Sequence, residues 1–183
     1  MNKVFFDLYT YLCFPKNPIY PIVFLGLVIS GSYDETLKLW CLKTGRCEAT
    51  LRGHRGRVLC MHVPWSAHPG IFLSGSEDKS IKVWSMLGTR SSCLKTLQGH
   101  EDSVTTLSME GNKIISGSLD STIKLWDLKS GICLQNLDWM TSEGHTGVIR
   151  CLQADAWRIV SSSDDKTLKV WELESGQRLV TLR

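Results

Sequence analysis

The sequence predicts an all-β fold made of four copies of one short antiparallel sheet, and three observations predict it. An eleven-residue phrase occurs four times, as SGSYDETLKLW at 30–40, SGSEDKSIKVW at 74–84, SGSLDSTIKLW at 116–126 and SSSDDKTLKVW at 161–171. Its tryptophans, Trp40, Trp84, Trp126 and Trp171, are spaced by 44, 42 and 45 residues, the period of a four-stranded propeller blade. A second mark, Gly-His, stands at Gly53-His54, Gly99-His100 and Gly144-His145.

The elements follow in chain order. Residues 1–26 form an unassigned apolar segment that matches nothing else in the chain. The apolar run Ile19 to Ile29 is too short for a membrane-spanning helix, which needs roughly 20 residues. It is led by Pro18 and Pro21 and overlaps the first copy, so neither a signal peptide nor an anchor is expected. Second strands start near Leu27, Ile71, Lys113 and Arg158 and run into Ser-Gly-Ser turns. Third strands are the β-prone runs Leu37 to Trp40, Ile81 to Trp84, Ile123 to Trp126 and Leu168 to Trp171. Each carries a lysine two residues before its tryptophan, Lys38, Lys82, Lys124 or Lys169, whose stem can lie along the sheet while its ammonium reaches water.

Outer strands are expected at Arg46 to Leu51, Cys93 to Leu97, Ile132 to Leu137 and Gln177 to Leu182. Thr44-Gly45, Leu87-Gly88, Ser130-Gly131 and Ser175-Gly176 supply the turns before them, where glycine accepts positive φ. First strands are Arg57 to Val63, Ser103 to Ser108 and Val148 to Gln153, and no counterpart is identifiable ahead of Leu27. The four blades thus fall at about 27–51, 53–97, 99–137 and 144–183.

Composition narrows the function classes. With 43% hydrophobic and 21% charged residues the chain is an ordinary globular one. Its net +3 is scattered, which gives no argument for nucleic acid. Seven cysteines include no CxxC pair, and Cys60 and Cys151 recur at one repeat phase, as small buried residues do. Unpaired thiols point to the cytosol or nucleus. His62 and His68 have no partner at metal-ligand spacing, and no phosphate-cradling glycine loop occurs, so neither metal nor cofactor is expected.

These phrases resemble the WD-repeat family over residues 27–183, although only Trp126-Asp127 keeps the literal Trp-Asp dipeptide. The resemblance implies a β-propeller in which each blade holds a buried hydrogen-bonded tetrad. The matching positions are His54/Ser74/Asp78/Trp84, His100/Ser116/Asp120/Trp126 and His145/Ser161/Asp165/Trp171. His, Ser and Asp are also the components of hydrolase triads. An enzyme needs one such site, however, and here the set recurs three times at fixed distance from its own tryptophan, with no Gly-x-Ser-x-Gly elbow. A structural role is expected and no catalytic residue is assigned.

Propellers of this family usually close with seven or eight blades, so four imply an incomplete ring. Its open edges would favour self-association, with residues 19–26 offering a surrogate strand between two copies. The resemblance places partner contacts on the face with the Gly-His loops. Candidates there are Tyr33, Glu77, Leu119 and Asp164 in the turns, and Leu59, Thr105 and Arg150 five residues after each histidine. Trp139 and Met140 join them, because the third tryptophan-to-histidine connection, with 19 residues against 14 and 16, is the longest. TLRGHRGRVLC and ISGSLDSTIKLWDLKSGICLQNL are closest to the F-box/WD-repeat substrate receptors of ubiquitin ligases. The chain is therefore expected to bind other proteins, ubiquitin-ligase substrates or subunits among them, with neither nucleic acid nor membrane as partner. Another WD scaffold, in signalling or RNA processing, is the alternative, with a hydrolase or a nucleic-acid binder as lesser rivals.

Overall fold

The computed structural model describes residues 4–6, 26–64, 68, 70–86, 91–140 and 142–183. Among them the strands form four antiparallel sheets, each a four-stranded meander in chain order. The first sheet contains β1 (Val4–Phe6), β2 (Leu27–Ser32), β3 (Leu37–Cys41) and β4 (Cys47–Leu51). The second contains β5 (Val58–His62), β6 (Ile71–Ser76), β7 (Ile81–Ser85) and β8 (Ser92–Leu97). The third contains β9 (Val104–Glu110), β10 (Lys113–Ser118), β11 (Ile123–Asp127) and β12 (Cys133–Leu137). The fourth contains β13 (Ile149–Ala154), β14 (Arg158–Ser163), β15 (Leu168–Glu172) and β16 (Arg178–Leu182). Adjacent sheets pack face to face in order from first to fourth, and among the described residues the stack does not close on itself.

Two features depart from the sequence reading. The first sheet has an innermost strand after all: Val4–Phe6 pairs with β2, with Val4 opposite Ser32 and Phe6 opposite Ser30. No repeat signal in residues 1–26 announces it, and residues 19–25, read above as a surrogate strand, lie outside the described residues. The Ser-Gly-Ser segments are strand ends and not turns. They are extended because their glycines are where the next sheet closes in. A Cβ at Gly75 would lie 2.6 Å from both Cys60 Sγ and Val104 Cγ1, and one at Gly117 would lie 2.5 Å from Ile149 Cγ2. The fourth copy has Ser162 at this place, and no sheet packs on it.

Three apolar clusters fill the gaps between sheets, each combining aliphatic residues of one sheet with a tryptophan of the next. Between the third and fourth sheets, Ile115, Ile123, Leu125 and Leu137 meet Ile149, Leu152, Ile159, Trp171 and Leu173. Burial at about 1.5–3 kcal/mol per large side chain makes these gaps the main source of stability. The lysines of the third strands behave as ordinary amphipathic side chains: Lys82 Nζ donates to Thr96 Oγ1 at 2.8 Å and Lys124 Nζ to Asn136 Oδ1 at 2.9 Å, each its cross-strand neighbour.

Candidate functional site

Each Gly-His loop precedes the innermost strand and lays its histidine over the turn between the second and third strands of the same sheet. His54 Nδ1 lies 2.8 Å from Asp78 Oδ2, and its Nε2 lies 2.7 Å from Ser74 Oγ. Trp84 Nε1 donates to the same Ser74 Oγ at 2.8 Å. The arrangement repeats at His100 with Asp120 (2.8 Å), Ser116 (2.7 Å) and Trp126 (2.9 Å from Ser116). It repeats again at His145 with Asp165 (2.8 Å), Ser161 (2.8 Å) and Trp171 (2.9 Å from Ser161). Among the described residues, the first sheet keeps the bond from Trp40 to Ser30, at 2.8 Å.

Proton counting assigns the tautomers. Each indole N–H donates to a serine oxygen, the serine hydroxyl donates to histidine Nε2, and the remaining Nδ1–H donates to aspartate, so every donor meets one acceptor. The aspartates also receive the loops. Asp120 Oδ2 accepts the Glu101 N–H at 2.9 Å, while its Oδ1 accepts the Thr122 N–H and hydroxyl at 2.9 and 2.7 Å. One carboxylate thereby ties the inter-sheet loop to the turn.

The electrostatics agree with this neutral chain. Burial pushes His54 and His145 below the ordinary imidazole value, against the pull of Asp78 and Asp165. The contacts of His54 with Asp78 and of His145 with Asp165 are therefore imidazole–carboxylate hydrogen bonds and not ion pairs. Burial raises the Asp78 carboxyl, but Ser80, the Arg55 N–H and His54 outweigh it and bring it down to about 2. Asp120 and Asp165 are likewise held below the usual carboxylate range, burial again being overcome by their donors.

The candidate contact residues divide into those already engaged and those left free. Tyr33 and Glu77 flank one side chain, Arg57, whose guanidinium lies 5.0 Å from the Tyr33 ring centre and whose Nε is 3.5 Å from Glu77 Oε2. Thr105 turns inward: its hydroxyl lies 2.6 Å from the Ile149 carbonyl and 3.1 Å from that of Gly117, stitching the third sheet to the fourth. Arg150 is forked onto Asp164, with Nε 2.8 Å from Oδ1. Leu59 and Leu119 are half-buried.

Trp139 and Met140 are free, 61% and 75% exposed, in the turn after β12. Their loop is fastened at its base, where the Ser142 and Gly144 N–H groups donate to the Asp138 carbonyl at 3.1 and 2.9 Å. A Cβ at Gly144 would lie 2.5 Å from the Asp138 carbonyl carbon, so only glycine fits this closure. In the long loop of the second sheet, Trp65, Ser66, Ala67 and Pro69 lie outside the described residues, while His68 Nε2 is 3.1 Å from the Gly111 carbonyl. Sequence reasoning missed Trp157, exposed in the turn between β13 and β14. The available signal was a tryptophan off the repeat phase.

The described cysteines are all free thiols. Cys60 fits the buried reading, its Sγ donating to the Val104 carbonyl at 3.6 Å and its pKa raised by burial. Cys151, at the same phase, is exposed, since among the described residues no sheet packs against that face of the fourth sheet.

Comparison with known proteins accords with this geometry. The "CCR4-associated factor 4 homolog" of Candida glabrata is 37% identical over 62% of this chain and 21% of its own length. "Mitochondrial division protein 1" of Eremothecium gossypii is 32% identical over 61% of this chain and 16% of its own. The chain thus spans about a fifth of these relatives. The crystal structure of the WD40 β-propeller domain of Doa1 superposes with a TM-score of 0.69 at 32% identity, over 86% of this chain and 50% of that one. The family described as "WD domain, G-beta repeat" matches residues 45–85, 91–127 and 132–172. Each match begins beside an outer strand and ends with the third strand of the following sheet, and together they span more than half of the sequence, so the chain belongs to the WD40 repeat family.

Proposed function

We propose that the chain is a non-catalytic protein-interaction scaffold that docks a partner on its Gly-His end through the Trp139–Met140 loop. One observation carries this: a large aromatic and a flexible thioether, the residue types that dominate interface energy, stand exposed on a loop whose base is rigidly closed. The tetrads favour no chemistry. Ser74, Ser116 and Ser161 are buried, and each oxygen already accepts an indole N–H, which blunts it as a nucleophile and leaves no approach for a substrate.

Of the two scaffold readings, the ubiquitin-ligase one draws the weaker support. Reading a phosphorylated motif needs unpaired guanidinium groups, and Arg150, the one arginine at the candidate positions, is neutralised by Asp164. The relatives' names, a CCR4-associated factor and a mitochondrial division protein, favour a scaffold of another complex. The test is co-purification from cells with mass-spectrometric identification, comparing the natural chain with a Trp139→Ala/Met140→Ala variant of unchanged melting temperature. Loss of a specific protein from the variant supports the reading. Retention of every partner by the folded variant overturns it.

A further inference from the structure

The two end sheets carry uncovered faces that are complementary in kind. On the fourth sheet, Val160, Leu168 and Val180 are 44% exposed and Leu182 is 52% exposed. The residues at the places of Val160, Leu168 and Leu182 in the third sheet, Ile115, Ile123 and Leu137, are buried under the fourth sheet. What covers them there is a set of five residues: Ile149, Leu152, Ile159, Trp171 and Leu173.

The first sheet carries apolar residues at the same register positions. Val28 pairs with Trp40 as Ile159 pairs with Trp171. Val4 and Phe6 hold the register positions of Ile149 and Leu152, opposite Ser32 and Ser30 as those lie opposite Ser163 and Ser161. Leu42 is 54% exposed, whereas its counterparts Leu128 and Leu173 are buried, and Trp40 is only half-buried where the other three repeat tryptophans are fully so. One chain thus bears both halves of a sheet-to-sheet junction at opposite ends of its stack.

We infer that a second copy of this chain covers these faces, its first sheet lying on its partner's fourth, so that two chains close one ring through two identical junctions. The contact is head-to-tail, and head-to-tail contacts close into rings when the rotation per unit allows it. The size fits a pair, because the aligned 86% of this chain covers 50% of the Doa1 propeller chain. One residue makes the junction between copies differ from the junctions within a chain. Ser162 occupies the place of Gly31, Gly75 and Gly117, where a Cβ would come within 2.5–2.7 Å of the next sheet. The junction is accordingly looser beside the innermost strand, and Ser162→Gly tightens it.

Light scattering on the purified 183-residue chain over a concentration series tests this. The expected result is a species of two chains, converted to monomer by Leu168→Lys and equally by Leu42→Lys, substitutions at exposed positions that leave each monomer folded. Mixing the two variants restores a dimer, because one of its two junctions is then intact, and Ser162→Gly lowers the dissociation constant severalfold. A monodisperse monomer that binds no apolar dye overturns the inference. So do assemblies that grow without limit, a dimer that survives Leu168→Lys, or a Ser162→Gly variant with unaltered affinity.

Discussion

Replacing Gly117 by alanine tests how the sheets are held together. The added methyl would lie 2.5 Å from Ile149 Cγ2 and 2.8 Å from Thr106 Cγ2, about 1 Å inside the separation at which carbon atoms attract. Neither neighbour can move freely. Ile149 is fully buried, and Thr106 Oγ1 accepts the Leu152 N–H at 3.2 Å across the junction, a bond that rotation would break. Overpacking of this kind costs about 1–3 kcal/mol. The reduced freedom of the unfolded chain returns about 0.4–1 kcal/mol, leaving a net loss of about 1–2 kcal/mol. Urea unfolding followed by tryptophan fluorescence reads this directly, together with a drop in melting temperature of about 2–8 °C. The matched control is Ser162→Ala, on the face that no sheet of the same chain covers, expected within about 0.5 kcal/mol of the natural chain when the monomer is unfolded at low concentration. A Gly117→Ala variant as stable as the natural chain would refute the reasoning, since it would mean that the sheets do not close on their glycines.

Acidification should destabilise the chain in two stages. His54 and His145 have depressed pKa values in the fold, so their contribution is full above the ordinary value of 6.5 and lost as pH falls below it. The Asp78 contribution is full above 3.8 and lost as pH falls toward about 2. A free energy of unfolding that stays flat from pH about 7 to about 5 at constant ionic strength contradicts the first stage. Ser121 adopts φ 67° without being glycine, so Ser121→Gly should raise the free energy of unfolding by about 0.5–1 kcal/mol, the relief of left-handed strain exceeding the entropy that glycine adds. A lowered urea midpoint would show that the turn is unstrained.

The repeat made most of this fold legible, because each strand is short, apolar on alternate positions and punctuated by the same turn residues. Leu27, Ile71, Lys113 and Arg158 begin their strands where the pattern places them. Val4–Phe6 was not legible: three residues carry no period, and their pairing is set by the open edge of β2 and not by their own sequence. The left-handed residues Glu35, Lys79, Ser121 and Lys166 were equally hidden. No glycine marks them, because the preceding aspartate holds the turn instead by accepting the N–H two residues on. At the candidate site, the recurrence of histidine, serine, aspartate and tryptophan at fixed intervals was readable from spacing, and the resemblance to the WD-repeat family implied that they bond together. The inward turn of Thr105 and the pairing of Arg150 with Asp164 were not, since both depend on distances between segments that the repeat does not encode.

The central claim is that the tetrads are struts, which leaves function to the loops they hold. Asp34 and Asp120 make the most direct comparison, because among the described residues Asp34 supports its own turn through Thr36, whereas Asp120 also receives His100 and the Glu101 N–H. Unfolding of the two alanine variants is the measurement. Asp120→Ala should cost about 2–4 kcal/mol, since buried donors lose a charged acceptor, and Asp34→Ala should cost less than about 1 kcal/mol. Equal costs for the two, or an Asp120→Ala chain that melts like the natural one while losing a hydrolytic activity, would contradict the claim.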